Sequence, residues 1–445
     1  MLSKSLVASV LAIASAIVPV TAAPRTKQYT AANVARTNAA DNLPNGFINL
    51  VYYHDRSIEE RKFRASQMTV DKLTHVNYAF LQPYQNGSVI PGNLQNDVIE
   101  PLIEGETQPY TYEENGVIKY NALGCVKDLF MLKQNNRYLK TLISIGGWDW
   151  SGNFSIIAAD EAKVEIFVTE SVKYMADWGF DGVDIDWEYP QNKEESVNFI
   201  SLLKRMRKAL DDYAAAVTPG YRYLLTIAAP AGPANIQQLD MKSLGEILDF
   251  INLMAYDYAG SWSSKSGFMA NVYPSKSTPA ATDVNTEAAV NAYLDGGVPA
   301  NKLILGMPVY GRGFENTEGI GMPFEGIGPG TWEPGAYDYK ALPFEGAKEV
   351  FDEETLGHYS YDPVKKQLIS YDTPQVVTRK VEYLSSKGLG GSMFWEASAD
   401  KLGEGSLIGA SYSALEKTAG SPSCSENQLY YPNSMYSNIA TGFMA

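Results

Sequence analysis

Between positions 181 and 188 the chain places four carboxylates, Asp181, Asp184, Asp186 and Glu188, in the run Asp-Gly-Val-Asp-Ile-Asp-Trp-Glu. The last three alternate with Val183, Ile185 and Trp187. Successive residues of a strand point to opposite faces, so an extended segment here turns three acids to one side and three apolar side chains to the other. Close carboxylates repel, and burial favours their neutral form, so at least one of the three holds its proton toward neutral pH. A carboxyl group kept protonated in this way can donate to a leaving oxygen. The plain alternative is a set of surface acids at a strand end. An apolar residue at every alternate position argues against it.

Other chemistries find less support. Three histidines (His54, His75, His358) and two cysteines (Cys125, Cys424) form no metal site of standard spacing, so neither metal nor cofactor is expected. His75 falls within a predicted strand and reads as a satisfied core histidine. The Gly319–Gly330 stretch contains Pro323 and Pro329 and follows no strand that opens a helix, so it reads as a loop and not a nucleotide cradle. A formal net charge of −15 disfavours nucleic acid and anionic membranes as partners and suits a neutral or cationic substrate. The 29 Tyr and 7 Trp serve core packing in any fold, but their rings also suit stacking on sugars.

The acids need elements to hold them. Apolar, β-branched runs predict strands at 47–52, 74–80, 139–145, 182–186, 223–228, 250–255, 303–308 and 391–395. Helical patterns lie between them; the clearest spans 193–213, with Val197, Ile200, Leu203 and Met206 as its apolar spacing. Eight strand–helix alternations predict a (β/α)₈ TIM barrel over 45–416, with a doubly wound open sheet as second choice. The Gly-, Pro- and Tyr-rich interval 313–376 breaks the alternation and reads as a small α+β insertion between strands seven and eight. A Ser-, Asn- and Tyr-rich tail, 417–445, is expected to lie on the barrel.

The N-terminus reads as an export signal over 1–22, with Lys4, an apolar stretch from Leu6 to Val18 and small residues for cleavage. Residues 23–44 follow as a propeptide or lead-in. A secreted, extracellular chain is therefore expected. Export permits a Cys125–Cys424 disulfide, but free thiols fit equally. Asn86-Gly-Ser and Asn153-Phe-Ser are glycosylation sequons.

The acidic run resembles the D-x-x-D-x-D-x-E signature of glycoside hydrolase family 18, the chitinases. Ser144-Ile-Gly-Gly-Trp148, Met254-Ala-Tyr-Asp257, Gly306-Met-Pro-Val-Tyr-Gly-Arg312 and Gly391-Ser-Met-Phe-Trp-Glu396 resemble the family's motifs on strands three, six, seven and eight. Gly124-Cys-Val-Lys127 and Leu429-Tyr-Tyr-Pro-Asn-Ser434 are similar to segments of fungal secreted endochitinases. The resemblance implies a monomer that hydrolyses chitin or chitooligosaccharides with retention, the substrate's own acetamide serving as nucleophile. Glu188 would be the proton donor, Asp186 the partner of the acetamide N–H, Asp184 a proton-sharing neighbour and Tyr256 a donor to the acetamide oxygen. Gly146, Gly147, Trp148, Asp149, Tyr189, Met254, Asp257, Tyr310, Arg312 and Trp395 would hold sugar, with Trp395 as floor and Trp148 under the leaving group. Glu396 and Asp181 would support structure.

The chain departs from the family in places. Arg56 and Glu59 stand where aromatics are expected after strand one, Asp149-Trp150 replaces Thr-Tyr, and Phe268 replaces a His. These put the outer subsites in doubt and leave the carboxylates untouched. A non-catalytic chitinase-like lectin and an endo-β-N-acetylglucosaminidase acting on N-glycans are the alternatives.

Overall fold

The computed structural model describes residues 46–102 and 107–443, so the expected export signal and lead-in lie outside the described residues. Eight parallel strands form the frame: β1 (Ile48–His54), β2 (His75–Pro83), β3 (Lys140–Gly146), β4 (Gly182–Asp186), β5 (Leu224–Pro230), β6 (Phe250–Met254), β7 (Leu303–Pro308) and β8 (Gly391–Trp395). Each pairs with its sequence neighbour, and β8 returns to β1, closing the barrel. Three strands have the bounds expected from sequence, and the other five shift by one to three residues at one or both ends.

Burial on both faces explains why these runs are almost wholly apolar. Inside the barrel, Ile48, Leu50, Tyr52, Ile304 and Met393 form one apolar set. Val183, Ile185 and Trp187 face the other way, into the larger core under the helices. Trp187 there stacks on Phe154 at 5.6 Å and meets the edge of Phe199 at 5.2 Å. The alternation read from sequence thus sends the three acids inward and up toward the C-terminal mouth.

Phe199 belongs to the helix Lys193–Val217, which is capped by the Asn192 side chain accepting from the Glu195 N–H at 2.9 Å. The helix runs four residues past its expected end. Its buried stripe is Phe199, Leu203, Met206 and Leu210, whereas Val197, expected on that face, is 68% exposed. Val197 lies one position off the stripe that begins at Ser196, so its side chain rotates into solvent.

The insertion is a five-stranded antiparallel sheet ordered Ala336–Asp338, Tyr310–Phe314, Gln367–Ser370, Gly357–Asp362 and Lys348–Asp352, with one 3₁₀ turn at Tyr339–Ala341. Its first strand continues directly from β7, which carries Tyr310 and Arg312 out over the barrel mouth. Phe268 is buried against Tyr359 of this sheet at 5.8 Å. It packs the insertion onto the barrel and is no outer subsite.

The tail lies against the opposite, N-terminal end of the barrel. Asn427 Nδ2 donates to the carbonyls of Lys133, Asn136 and Leu139, and the Tyr431 hydroxyl donates to the Phe180 carbonyl at 2.7 Å. Cys125 is buried, Cys424 is exposed, and the two are not bonded. No helix among the described residues is long and apolar enough to cross a membrane.

Candidate active site

The register across β3, β4 and β5 sets Ser144, Asp184 and Thr226 level with one another. Asp184 is wholly buried, and four donors surround its carboxylate: Tyr52 and Ser144 hydroxyls at 2.8 Å, Thr226 at 2.6 Å and Asn252 Nδ2 at 3.3 Å. Burial raises its pKa, and these donors offset part of the rise. Two residues on, Asp186 is also buried, but its Oδ1 has no hydrogen-bond partner among the described residues. Burial, then the charges of Glu188 and Asp184, push its pKa well up.

Glu188 lies two residues past the end of β4. Burial pushes its carboxyl up to about 7, the neighbouring Tyr189 hydroxyl offsets some of that, and Asp257 and Asp149 add to it. Its backbone N–H donates to Ser151 Oγ at 2.7 Å, and the Ser151 hydroxyl donates to the Gly147 carbonyl at 2.9 Å. One strand therefore presents a saturated acid, an acid with a free oxygen and an acid that titrates near neutrality. A group with that pKa can both give and take a proton at pH 7.

Asp186 and Glu188 open into a cleft of about 1020 Å³ at the barrel mouth. Every other residue expected to hold sugar lines it: Gly146, Gly147, Trp148, Asp149, Tyr189, Met254, Tyr256, Asp257, Tyr310, Arg312 and Trp395. Asp184 does not reach the cleft; it supports Asp186 from below. Gly146 and Gly147 have φ of 115° and 83°, and a Cβ at Gly146 would sit 2.2 Å from the Asp186 carbonyl. The close approach of β3 to β4 at the Gly146–Asp186 pair thus requires glycine.

Trp395 is held by Phe80 stacked at 5.6 Å and Tyr52 at 5.5 Å, which fixes a flat apolar floor. Trp148, which also lines the cleft, is 74% exposed. Tyr256 meets Tyr310 edge-on at 6.3 Å, with its hydroxyl toward Met393 Sδ at 3.8 Å. Arg312 grips Asp257 through two bonds of 2.8 and 2.9 Å and lies between Trp262 and Tyr310, so this charged pair is a fixed wall of the cleft.

Several expectations separate here. Arg56 lines the cleft, whereas Glu59 accepts from Asn93 and Asn96. Glu396 accepts from the N–H of Ser398 at 3.0 Å and from its hydroxyl, and Asp181 pairs with Lys133. His75 is buried against Phe250 with its pKa lowered to about 3 by burial and Lys140. Asn86 is exposed, but Asn153 Nδ2 is already donating to the Pro83 carbonyl at 2.9 Å. Among the described residues, no group of three or more His, Cys, Asp and Glu is placed to hold a metal ion. The sequence reading missed Tyr52, Thr226, Asn252, Ser151, Trp262 and Trp332, the last a cleft-lining residue whose Nε1 donates to Asp338 at 3.0 Å. Three of these carry a visible signal, since Tyr52, Thr226 and Asn252 interrupt apolar strands on the inward-facing phase.

Comparison with known proteins gives the same picture along most of the chain. A model of the glycosyl hydrolases family 18 matches residues 49–400. Chitinase 1 of Aphanocladium album is 48% identical over 397 residues, covering 89% of this chain and 91% of that protein. Endochitinase 1 of Metarhizium robertsii is 47% identical over 394 residues, covering 88% and 90%. Among solved structures, the catalytic domain of psychrophilic chitinase B from Arthrobacter TAD20 matches with a TM-score of 0.75 at 30% identity, over 86% of this chain and 99% of that one.

Proposed function

The chain belongs to glycosyl hydrolases family 18, and on that premise we propose that it is a secreted, endo-acting chitinase in which Glu188 is the proton donor. It cleaves the β-1,4 linkages of N-acetylglucosamine polymers, and the substrate supplies the nucleophile, outside the usual scheme of two protein carboxylates. The observation that carries this reading is the unequal state of three acids on one strand: Asp184 saturated, Asp186 with a free oxygen, Glu188 titrating at about 7.

The reaction follows from those states. Glu188, protonated, gives its proton to the glycosidic oxygen as the bond to the anomeric carbon breaks. The acetamide carbonyl of the same sugar attacks that carbon and closes an oxazolinium ring. Asp186 accepts the acetamide N–H with its free oxygen and balances the positive charge, while Asp184 beneath it shares the proton load. Tyr256 donates to the acetamide oxygen and aligns it for attack. Glu188, now a carboxylate, takes a proton from the water that opens the ring, restoring both enzyme and anomeric configuration. Trp395 is the floor of the cleavage subsite and Trp148 the platform for the leaving sugar. Of the two sequons, exposed Asn86 is the better glycan acceptor.

The test is to incubate the protein with N-acetylglucosamine hexamer and follow products by NMR. The expected first product is the β-anomer, with internal cuts. Initial α-anomer would overturn the substrate-assisted scheme, and no product would favour the non-catalytic lectin.

A further inference from the structure

We propose that Ser151 is a positioning residue that holds the acid Glu188 in register with the platform bearing the leaving sugar. The inference rests on the function proposed above and adds a residue to it. Pairing of β3 with β4 ends at Gly146 and Asp186, so the Glu188 N–H lies beyond the sheet and needs another acceptor. Ser151 Oγ is that acceptor, at 2.7 Å. The hydroxyl's own proton goes to the Gly147 carbonyl at 2.9 Å, with the Asp186 carbonyl at 3.3 Å, and the Gly147 N–H donates to the Asp186 carbonyl at 2.9 Å.

These bonds form a closed set linking Asp186 and Glu188, at and just past the end of β4, to the turn after β3. Trp148 projects from that same turn, immediately after Gly147. One buried hydroxyl therefore ties the proton donor to the surface on which the protonated sugar rests. Without it the Glu188 N–H keeps no acceptor, or the peptide rotates to find one and carries the carboxyl away from the glycosidic oxygen. A displacement of about 1 Å at a reacting group can cost on the order of 10²-fold in rate.

The consequence depends on the leaving group, which separates positioning from general stability. Ser151→Ala should lower kcat on chitooligosaccharides by roughly 10- to 100-fold and change KM by no more than about 2-fold. On 4-nitrophenyl chitobioside, whose nitrophenolate departs with little protonation, the loss should stay under about 3-fold. Equal losses on both substrates, or wild-type rates on both, would overturn the proposal. Should Ser151→Ala fold poorly, the isosteric pair Ser151→Thr and Ser151→Val decides: Thr should keep oligosaccharide cleavage and Val should show the leaving-group split, and identical behaviour of the two overturns it. Glu188→Gln run in parallel separates the two readings. If that variant cleaves oligosaccharides normally, the proposed function fails; if it does not, while Ser151→Ala is unaffected, only the role of Ser151 fails.

Discussion

Two ends of one acidic run behave in opposite ways. Asp181, just before β4, is fully buried and saturated: Lys133 Nζ lies at 2.8 Å, and the Thr141 N–H, the Tyr221 hydroxyl and the Gln428 N–H each donate at 2.8 Å. Asp186 and Glu188, five and seven residues on, have no cation paired with them among the described residues, and Asp186 keeps an oxygen free. Asp181 and Asp186 are alike in residue type and burial, so between these two the partners decide the role. The matched acid ties β3, β4 and the C-terminal tail together, and the unmatched acids are left to act on a substrate.

Removing the proton donor gives the largest expected effect. Glu188→Gln should lower chitooligosaccharide hydrolysis by on the order of 10²–10⁴-fold while leaving affinity within a few-fold, as rate assays and calorimetric binding would read. Breaking the matched end should do the reverse. Lys133→Met strands Asp181 without its counter-charge and should cost about 3–5 kcal/mol of stability, measured by urea unfolding, with kcat per folded molecule unchanged. If Lys133→Met lowers kcat instead of stability, the two ends are not separate devices.

The contrast also has a pH signature. The Glu188 carboxyl is raised to about 7 in the folded protein from an ordinary 4.5. As pH rises between those values, the unfolded chain releases this proton and the folded one keeps it, so stability is full below about 4.5 and declines until about 7. Glu188→Gln carries no proton to lose. It should therefore be more stable than wild type by on the order of 3 kcal/mol above pH 7, with the difference vanishing near pH 4.5 in melting curves. A stability gain that ignores pH would mean that burial strain, and not the proton, is stored there.

Much of this was legible before any coordinates. Strict alternation at 183–188 gives the facing of Asp184, Asp186 and Glu188, because a strand's period is fixed by its backbone. The strand runs were recognisable because burial on both faces demands near-continuous apolar residues. What stayed hidden depends on contacts across the chain. The saturation of Asp184 draws on Tyr52, Ser144, Thr226 and Asn252 from four other strands, which only barrel closure brings together. Ser151 looks like any turn serine until its neighbour in space is known. Phe268 read as a changed subsite residue, but the insertion folds over it, and Val197 misled because a face of a helix is set by its packing partner and not by spacing alone.

The smallest expected effect sharpens the comparison most. Asp149 is exposed at the cleft's lip, and its charge, after burial and Asp257, helps hold the Glu188 proton. Asp257 makes a poor probe, because its removal also frees Arg312. Asp149→Asn takes away a charge and little else. Glu188 should then release its proton more easily, so the alkaline limb of kcat/KM, which reports the free enzyme, should move to lower pH by roughly 0.2–0.5 units at low salt. Because Asp149 is solvent-facing, the shift should shrink toward zero at about 1 M salt, where screening falls to about 3 Å. A limb that moves upward, or a shift that persists at high salt, would mean that the acid's proton is held by contact rather than by unmatched charge, and the distinction between the two ends of β4 would lose its electrostatic basis.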